Sequence, residues 1–168
     1  MSEFYDYFSK QRIKPASIHR RDYHPSIANS SIGLLSRSFD TNTSSSFLSF
    51  DVVLNDTLER IGNIGFHDSS FEEMFYGGNV DYTIIEKFQN QGYGTQSLAL
   101  LKELLRDNSY AIKNGLLIST LPDNIYSQKV AIKNGGVLVY DGQVPEDNLL
   151  YQLDHVKEVK IYQIQMKK

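Results

Sequence analysis

Apolar and polar positions along the chain change period several times, and each change marks an element. Phe47-Leu48-Ser49-Phe50-Asp51-Val52-Val53-Leu54 is aromatic and β-branched, Asn55-Asp56-Thr57 turns the chain, and Arg60-Ile61-Gly62-Asn63-Ile64-Gly65-Phe66 follows. That pattern predicts an antiparallel hairpin. Val80 to Ile85 is another β-prone run, broken by a polar turn that carries Gly92 and Gly94. From Thr95 the period becomes helical through Leu98, Leu101 and Leu105, which predicts a helix over 95–107. Leu116-Leu117-Ile118-Ser119-Thr120-Leu121 has the length and continuous apolarity of a buried strand. A helix over 124–134 and strands over 136–140 and 157–166 complete the set. Upstream, Phe4, Tyr5 and Phe8 have helical spacing and predict a short N-terminal helix packed on the domain. Thr41 to Ser46 reads as a loop, and Ser69 to Gly78 as a connection with room for a helical turn. Hairpin strands first and crossovers afterwards predict an α/β domain with a mixed sheet. The sheet should be antiparallel at its start and parallel where strands 80–85 and 116–121 flank a helix.

Composition narrows the class. At 168 residues the chain is an ordinary length for a single domain with its own core. A net charge of −3 argues against a general binder of nucleic acid or anionic membrane, since both need a basic excess. No run approaches the ~20 apolar residues of a membrane span, and the polar N-terminus does not read as a signal peptide, so a cytoplasmic location is expected. The chain has no cysteine, which excludes disulfides, thiolate metal sites and a cysteine nucleophile. Its four histidines, at 19, 24, 67 and 155, are scattered without a His-x-x-x-His pair, so no metal site is expected.

The chemistry concentrates at residues 80–96. Glycines at 92 and 94 let backbone approach a ligand, and the helix start beyond them offers unsatisfied N–H groups with a partial positive charge. The turn is therefore suited to an anion, most simply a phosphate. Gly94-Thr95-Gln96 lacks the lysine of a Walker loop, and Ser97 stands where a dinucleotide fingerprint needs its third glycine. What remains is Gln89-x-x-Gly92-x-Gly94, which would also serve as a purely structural strand–helix junction.

This motif resembles the Gln/Arg-x-x-Gly-x-Gly/Ala signature of the GNAT N-acetyltransferases, whose loop cradles the pyrophosphate of coenzyme A. A second segment, Asn124-Ile125-Tyr126-Ser127 running to Lys133-Asn134-Gly135-Gly136, resembles that family's strand–Asn-x-x-Ser/Ala–helix–Lys-x-Gly module. With the late strand Lys160 to Ile164, it is similar to a subgroup of uncharacterised bacterial members. The common family form ends Gly-Phe, and here Gly136 replaces the Phe. The resemblance is good over about 47–140, weaker to 165, and absent for the first forty residues. One domain, 1–168, follows: a divergent segment over 1–45, a coenzyme A-binding core over 47–140 and a C-terminal strand region over 141–168.

The resemblance implies a fold in which strands 80–85 and 116–121 splay and admit the pantetheine arm of acetyl-CoA. Main-chain groups of Ile84 and Glu86 would pair with pantetheine amides. The amides of Gln91, Gly92, Tyr93, Gly94 and Thr95, with Gln89 at the start of the loop, would bind the diphosphate. Asn124 and Ser127 would contact the pantetheine end. Lys129 and Lys133 could reach a phosphate, with solvent the preferred reading. Transfer needs no covalent intermediate, because a thioester is already activated. Making a lysine-like amine neutral at pH 7 costs ~4–5 kcal/mol, so a base is required, and a donor must meet the departing thiolate. A backbone N–H at a bulge in strand 80–86 would polarise the thioester carbonyl.

Many relatives carry a tyrosine seven residues after the Asn; here that position is Ala131. Ser127 and Tyr126 are the hydroxyls left nearby, with Ser127 the candidate acid, although it also reads as a first-turn helix residue. Asp81, Glu72, Glu73, Glu86 and His67 qualify as base by location, and Asp81, alone inside its strand, is the choice. The implied activity is transfer of acetyl from acetyl-CoA to a primary amine of a small molecule or peptide, without nucleic acid, membrane or metal. The alternatives are a catalytically silent acyl-CoA-binding module and, further off, an anion-binding domain unrelated to coenzyme A. The resemblance also admits a homodimer. The acceptor groove in this family is built from N-terminal helices and the last hairpin, where the resemblance fails.

Overall fold

The computed structural model describes residues 13–37, 47–68 and 75–167. The N-terminal helix expected around Phe4, the loop over 41–46, and Glu72 and Glu73 lie outside them. Nine strands are described: β1 Ala16–Ser17, β2 Ile27–Ala28, β3 Ile32–Ser36, β4 Phe47–Leu54, β5 Glu59–His67, β6 Val80–Ile84, β7 Leu116–Thr120, β8 Val137–Gln143 and β9 Glu158–Ile164. Four α-helices accompany them: α1 Tyr93–Leu104, α2 Ser109–Asn114, α3 Ile125–Lys133 and α4 Leu149–Asp154. The result is a mixed α/β fold.

The predicted hairpin is the centre of the first sheet. β4 and β5 pair antiparallel from Phe47↔His67 onward, with a register shift between Val52 and Val53. The sheet runs β2-β3-β4-β5, and the far side of β5 holds both β1, at Glu59 and Arg60, and β6, at Gly62 to Phe66. The second sheet is β7-β9-β8.

Every ladder among the described residues is antiparallel, so the parallel pairing expected of β6 and β7 takes another form. The two strands are tied at their beginnings by Asn79. Its N–H donates to Leu117 O (3.0 Å), its Oδ1 accepts from Leu117 N (2.7 Å), and its Nδ2 donates to Gly115 O (3.1 Å). Its carbonyl accepts from His67 N (2.9 Å), so one fully buried residue joins both sheets. Beyond this point β6 keeps to β5 and β7 to β9, and the strands part toward Ile84 and Thr120.

The core explains which face is which. Val80 and Ile84 on β6 and Ile64 and Phe66 on β5 are buried on the face that Leu98 and Leu101 of α1 cover. Burying side chains of this size stabilises by roughly 1.5–3 kcal/mol each. A smaller cluster of Leu117, Val144, Val159 and Ile161 fills the other side of the second sheet. On the first sheet, residues alternating with the core set (Ser49, Asp51, Asn63, Gly65, Asp81 and Thr83) point to the opposite face. Burial holds the Asp51 carboxyl above its usual range, while Arg37 and Arg60 pull it down.

Short helices account for most of the differences from the sequence reading. α1 begins at Tyr93, immediately behind Gly92, and ends at Leu104. Asn108 then caps a separate helix, its side chain accepting from Ala111 N (2.9 Å). Asn148 does the same for α4 through Leu150 N (3.0 Å). No expectation covered β1 to β3, which are two to five residues long.

Candidate functional site

Where β6 and β7 part, the end of β6, the loop after it, the start of α1 and the flank of α3 enclose a cleft of about 510 Å³. The glycine loop forms one wall. Gly92 adopts φ 85°, ψ 0°, a left-handed conformation that a side chain strains, and immediately precedes α1. A Cβ there would meet nothing nearer than Gln96 Nε2 at 3.9 Å, so the requirement is conformational. At Gly94 a Cβ would lie 3.4 Å from Val130 Cγ2 and 3.8 Å from Ile84 Cγ1, so a larger side chain would fill the gap between α1, α3 and β6.

Electrostatics favour an anion at this wall. The first helical hydrogen bond runs from Gln96 N to Gly92 O (3.0 Å), and the N–H groups of Tyr93, Gly94 and Thr95 precede any intrahelical acceptor. No side chain caps α1 and no acidic residue sits in its first turn. The dipole's positive end is left facing the cleft. Lys129 and Lys133, read from sequence as facing solvent, are exposed but line this cleft from α3.

The Asn-Gly-Gly segment locks these parts together. Buried Asn134 donates from Nδ2 to Thr95 O (3.2 Å) and Val130 O (3.0 Å), joining the start of α1 to the end of α3. Its carbonyl accepts from Lys102 Nζ (2.7 Å). At Gly136 a Cβ would come within 2.8 Å of Ala131 O, so the chain passes too close to the end of α3 for a side chain.

At the inner end of the cleft two hydroxyls meet across it. Tyr82, from β6, lies 2.8 Å from Ser127 Oγ, on the first turn of α3, and donates to Ser127 O at 3.2 Å. Burial pushes the Tyr82 phenol up to about 12, with the Ser127 bond pulling the other way. Asn124 caps α3 through its Oδ1, which accepts from Ser127 N (3.1 Å). Its side chain is thus half committed before any ligand arrives, and it holds Ser127 in place.

Of the residues singled out from sequence, the cleft gathers Ile84, Gln89, Gly92, Tyr93, Gly94, Thr95, Asn124, Tyr126 and Ser127. Glu86 and Gln91 are exposed and do not line it. Gln91 donates instead to Lys87 O (3.1 Å). Gln89 lines the cleft and donates to Ile84 O (2.8 Å), which closes the loop on the strand. β6 pairs with β5 in unbroken register and Ile85 N donates to Ile61 O (2.8 Å), so the expected bulge is not there. Asp81 points to the opposite sheet face and meets a second candidate base, His67, with Nε2 3.3 Å from Oδ1. Ala131 is fully buried on the inner face of α3. Tyr82 escaped the sequence reading; the strand's period of two, which puts it between Val80 and Ile84 on the helix-facing side, would have found it. Among the described residues no cluster of His, Asp or Glu could hold a metal ion, and no helix is long and apolar enough to cross a membrane.

This site agrees with what comparison finds. The sequence profile of the Acetyltransferase (GNAT) domain matches residues 3–137. The chain belongs to the GNAT acetyltransferase family. No curated protein matches it by sequence. Among solved structures, RimL, the ribosomal L7/L12 alpha-N-protein acetyltransferase, shares 18% identity over 73% of this chain and 71% of its own, with TM-score 0.52. The ribosomal-protein-S5-alanine acetyltransferase from Vibrio fischeri shares 16% over 73% of this chain, with TM-score 0.55, and this chain spans 63% of its length. The microcin C7 self-immunity acetyltransferase MccE, solved with acetyl-CoA and AMP, shares 16% over 71% of this chain and 61% of its own, with TM-score 0.51. At these identities the likeness concerns the fold.

Proposed function

We propose that the chain transfers acetyl from acetyl-CoA to a primary amine. The observation that carries this reading is that one cleft holds both an uncapped glycine-led helix start and, at its inner end, the Tyr82–Ser127 hydroxyl pair. The diphosphate lies on the N–H groups of Tyr93 to Thr95, with Lys129 and Lys133 supplying positive charge. The pantetheine runs inward between β6 and α3, past Ile84 and Asn124. A neutral amine attacks the thioester carbon, the C–N bond forms, and the C–S bond breaks. The amine's proton passes toward the opposite sheet face, where Asp81 and His67 stand together.

Magnitude decides what the hydroxyls do. A thiol ionises near 8.5, so a phenol at about 12 is a weaker acid by roughly 3.5 units, and full transfer costs about 5 kcal/mol. Ser127 and Tyr82 therefore stabilise the departing sulfur by hydrogen bonding, and solvent completes its protonation. Relatives of this fold acetylate ribosomal proteins by their names, which favours a peptide or protein amine.

A second reading, a silent acyl-CoA-binding module, draws on Ala131 in place of a hydroxyl and on Asp81 facing away from the cleft. Release of free thiol from acetyl-CoA against a panel of amines separates them. Amine-dependent release supports transfer, and binding without release to any amine supports the silent module.

A further inference from the structure

The outer edge of the second sheet is long and apolar where the margins of the first are short. β1 and β2 have two residues each, too few to template another strand. β8 has seven, and among the described residues it pairs only with β9. Its first three residues, Val137, Leu138 and Val139, are 66%, 44% and 45% exposed, and Ile132, on the last turn of α3, is 54% exposed. Val137 and Leu138 point to opposite faces, so the edge is bare on both sides as well as along its main chain. The register shift between Leu138 and Tyr140 leaves Val139 out of the ladder with β9. Single exposed aliphatic residues are ordinary, but a run of three on a free edge marks an interface.

Charge selects the occupant. Beside the start of the strand stand Lys133 and Lys102, the latter donating from Nζ to Asn134 O (2.7 Å). Around its end Asp141, Glu146, Asp147 and Glu158 outnumber Lys157 and Lys160. Asp141 lies 3.5 Å from Lys160, and Glu158 stands opposite Gln143 on β9. A strand that pairs antiparallel here must bring acidic groups to the basic start, basic groups to the acidic end and aliphatic side chains to the middle. β8 of a second copy meets all three conditions. A twofold axis through Leu138 lays Val137 on the partner's Val139 and Leu138 on its own copy. The same register carries Asp141 to the partner's Gly135, two residues from the partner's Lys133. Such a self-complementary contact closes after two subunits. A specific dimer buries about 800 Å² per partner behind an apolar centre and a polar rim. The aliphatic run supplies the centre, and the lysines and carboxylates supply the rim.

We propose that two copies of this chain associate edge to edge through β8, antiparallel about a twofold axis at Leu138, and so join their second sheets. No residue of β8 lines the cleft, so the proposal stands apart from the acetyl-transfer reading. Sedimentation equilibrium tests it. The unaltered protein should show twice the 19.2 kDa of one chain at micromolar concentration. Val137→Lys and Val139→Lys together should weaken self-association at least tenfold, because the pairing would desolvate ammonium groups at its centre. Both side chains are exposed, so the Tm of the dilute variant should hold. Leu138→Cys gives a second measurement that survives any misfolding of the lysine variant, since the chain has no cysteine of its own. At a twofold axis this residue meets its own copy, and a short bis-maleimide should link most of the protein into covalent dimers. A single-chain mass for the unaltered protein throughout would overturn the proposal. So would a dimer that withstands both lysines, a mass that climbs past two chains, or a dimer that Leu138→Cys does not cross-link.

Discussion

Tyr82→Phe removes one oxygen from the cleft and leaves the ring that packs against the core. The hydroxyl lies 2.8 Å from Ser127 Oγ and 3.2 Å from Ser127 O. A neutral hydrogen bond contributes ~1 kcal/mol net, about fivefold in a rate or equilibrium constant. If the pair acts on the departing sulfur, kcat should fall roughly five- to tenfold. The Kd of acetyl-CoA should move less than twofold, because that interaction strengthens only as charge develops. High pH provides an independent readout. Burial raises the phenol from 10.0 to about 12, so folding favours its neutral form. That contribution is whole below pH ~10 and declines as the unfolded state ionises, until it is lost above pH ~12. Two units correspond to on the order of 2–3 kcal/mol, and Tyr82→Phe should flatten the alkaline limb of the stability curve by about that much. Steady-state kinetics and urea titrations between pH 8 and 12 measure the two effects separately. A flattened alkaline limb with unchanged kcat would refute the catalytic half. A parallel loss of kcat and affinity would mean that Tyr82 binds ligand rather than acting on the transition state.

Other expectations follow from the same geometry. Gly92→Ala should cost ~1–3 kcal/mol of stability through its left-handed backbone alone, and Gly94→Val should fold yet bind acetyl-CoA at least tenfold more weakly, both by thermal unfolding and calorimetry. Gly94→Val with unaltered affinity would show that this glycine serves only the turn. Asn124→Ala should lose ~1 kcal/mol with the cap of α3 and weaken acetyl-CoA binding as well; loss of stability alone would confine it to capping. Asn79→Ala should be the most damaging single change described, on the order of 3 kcal/mol or more by denaturant unfolding, because it strands the buried Leu117 N–H and Gly115 carbonyl that its side chain satisfies.

The parts of the fold legible in the sequence were those with an unambiguous period or turn. The hairpin strands, read at 47–54 and 60–66 and found at 47–54 and 59–67, announced themselves by β-prone runs on either side of a polar turn, and the glycine loop by its spacing. α2 and α4 were missed because six residues are too few to show a helical period, although Asn108 and Asn148 carried the capping signal. The site was legible as a set of positions and not as a set of directions. Asp81 and Tyr82 are adjacent in sequence, and only the pleat decides that the first faces His67 and the second the cleft. Asn79 offered no sequence signal, since its role depends on two residues, Gly115 and Leu117, 36 and 38 positions away and on His67.

Thermal unfolding with and without acetyl-CoA tests the central claim, an acetyl-CoA site between β6 and α3, most directly. At a hundredfold excess over Kd, binding should stabilise the native state by ~2.7 kcal/mol, a rise in Tm of roughly 5–11 °C for a domain of this size, and Gly94→Val should cut the rise by about half or more at the same ligand concentration. An unchanged Tm at millimolar acetyl-CoA, or a rise that survives Gly94→Val undiminished, would contradict it.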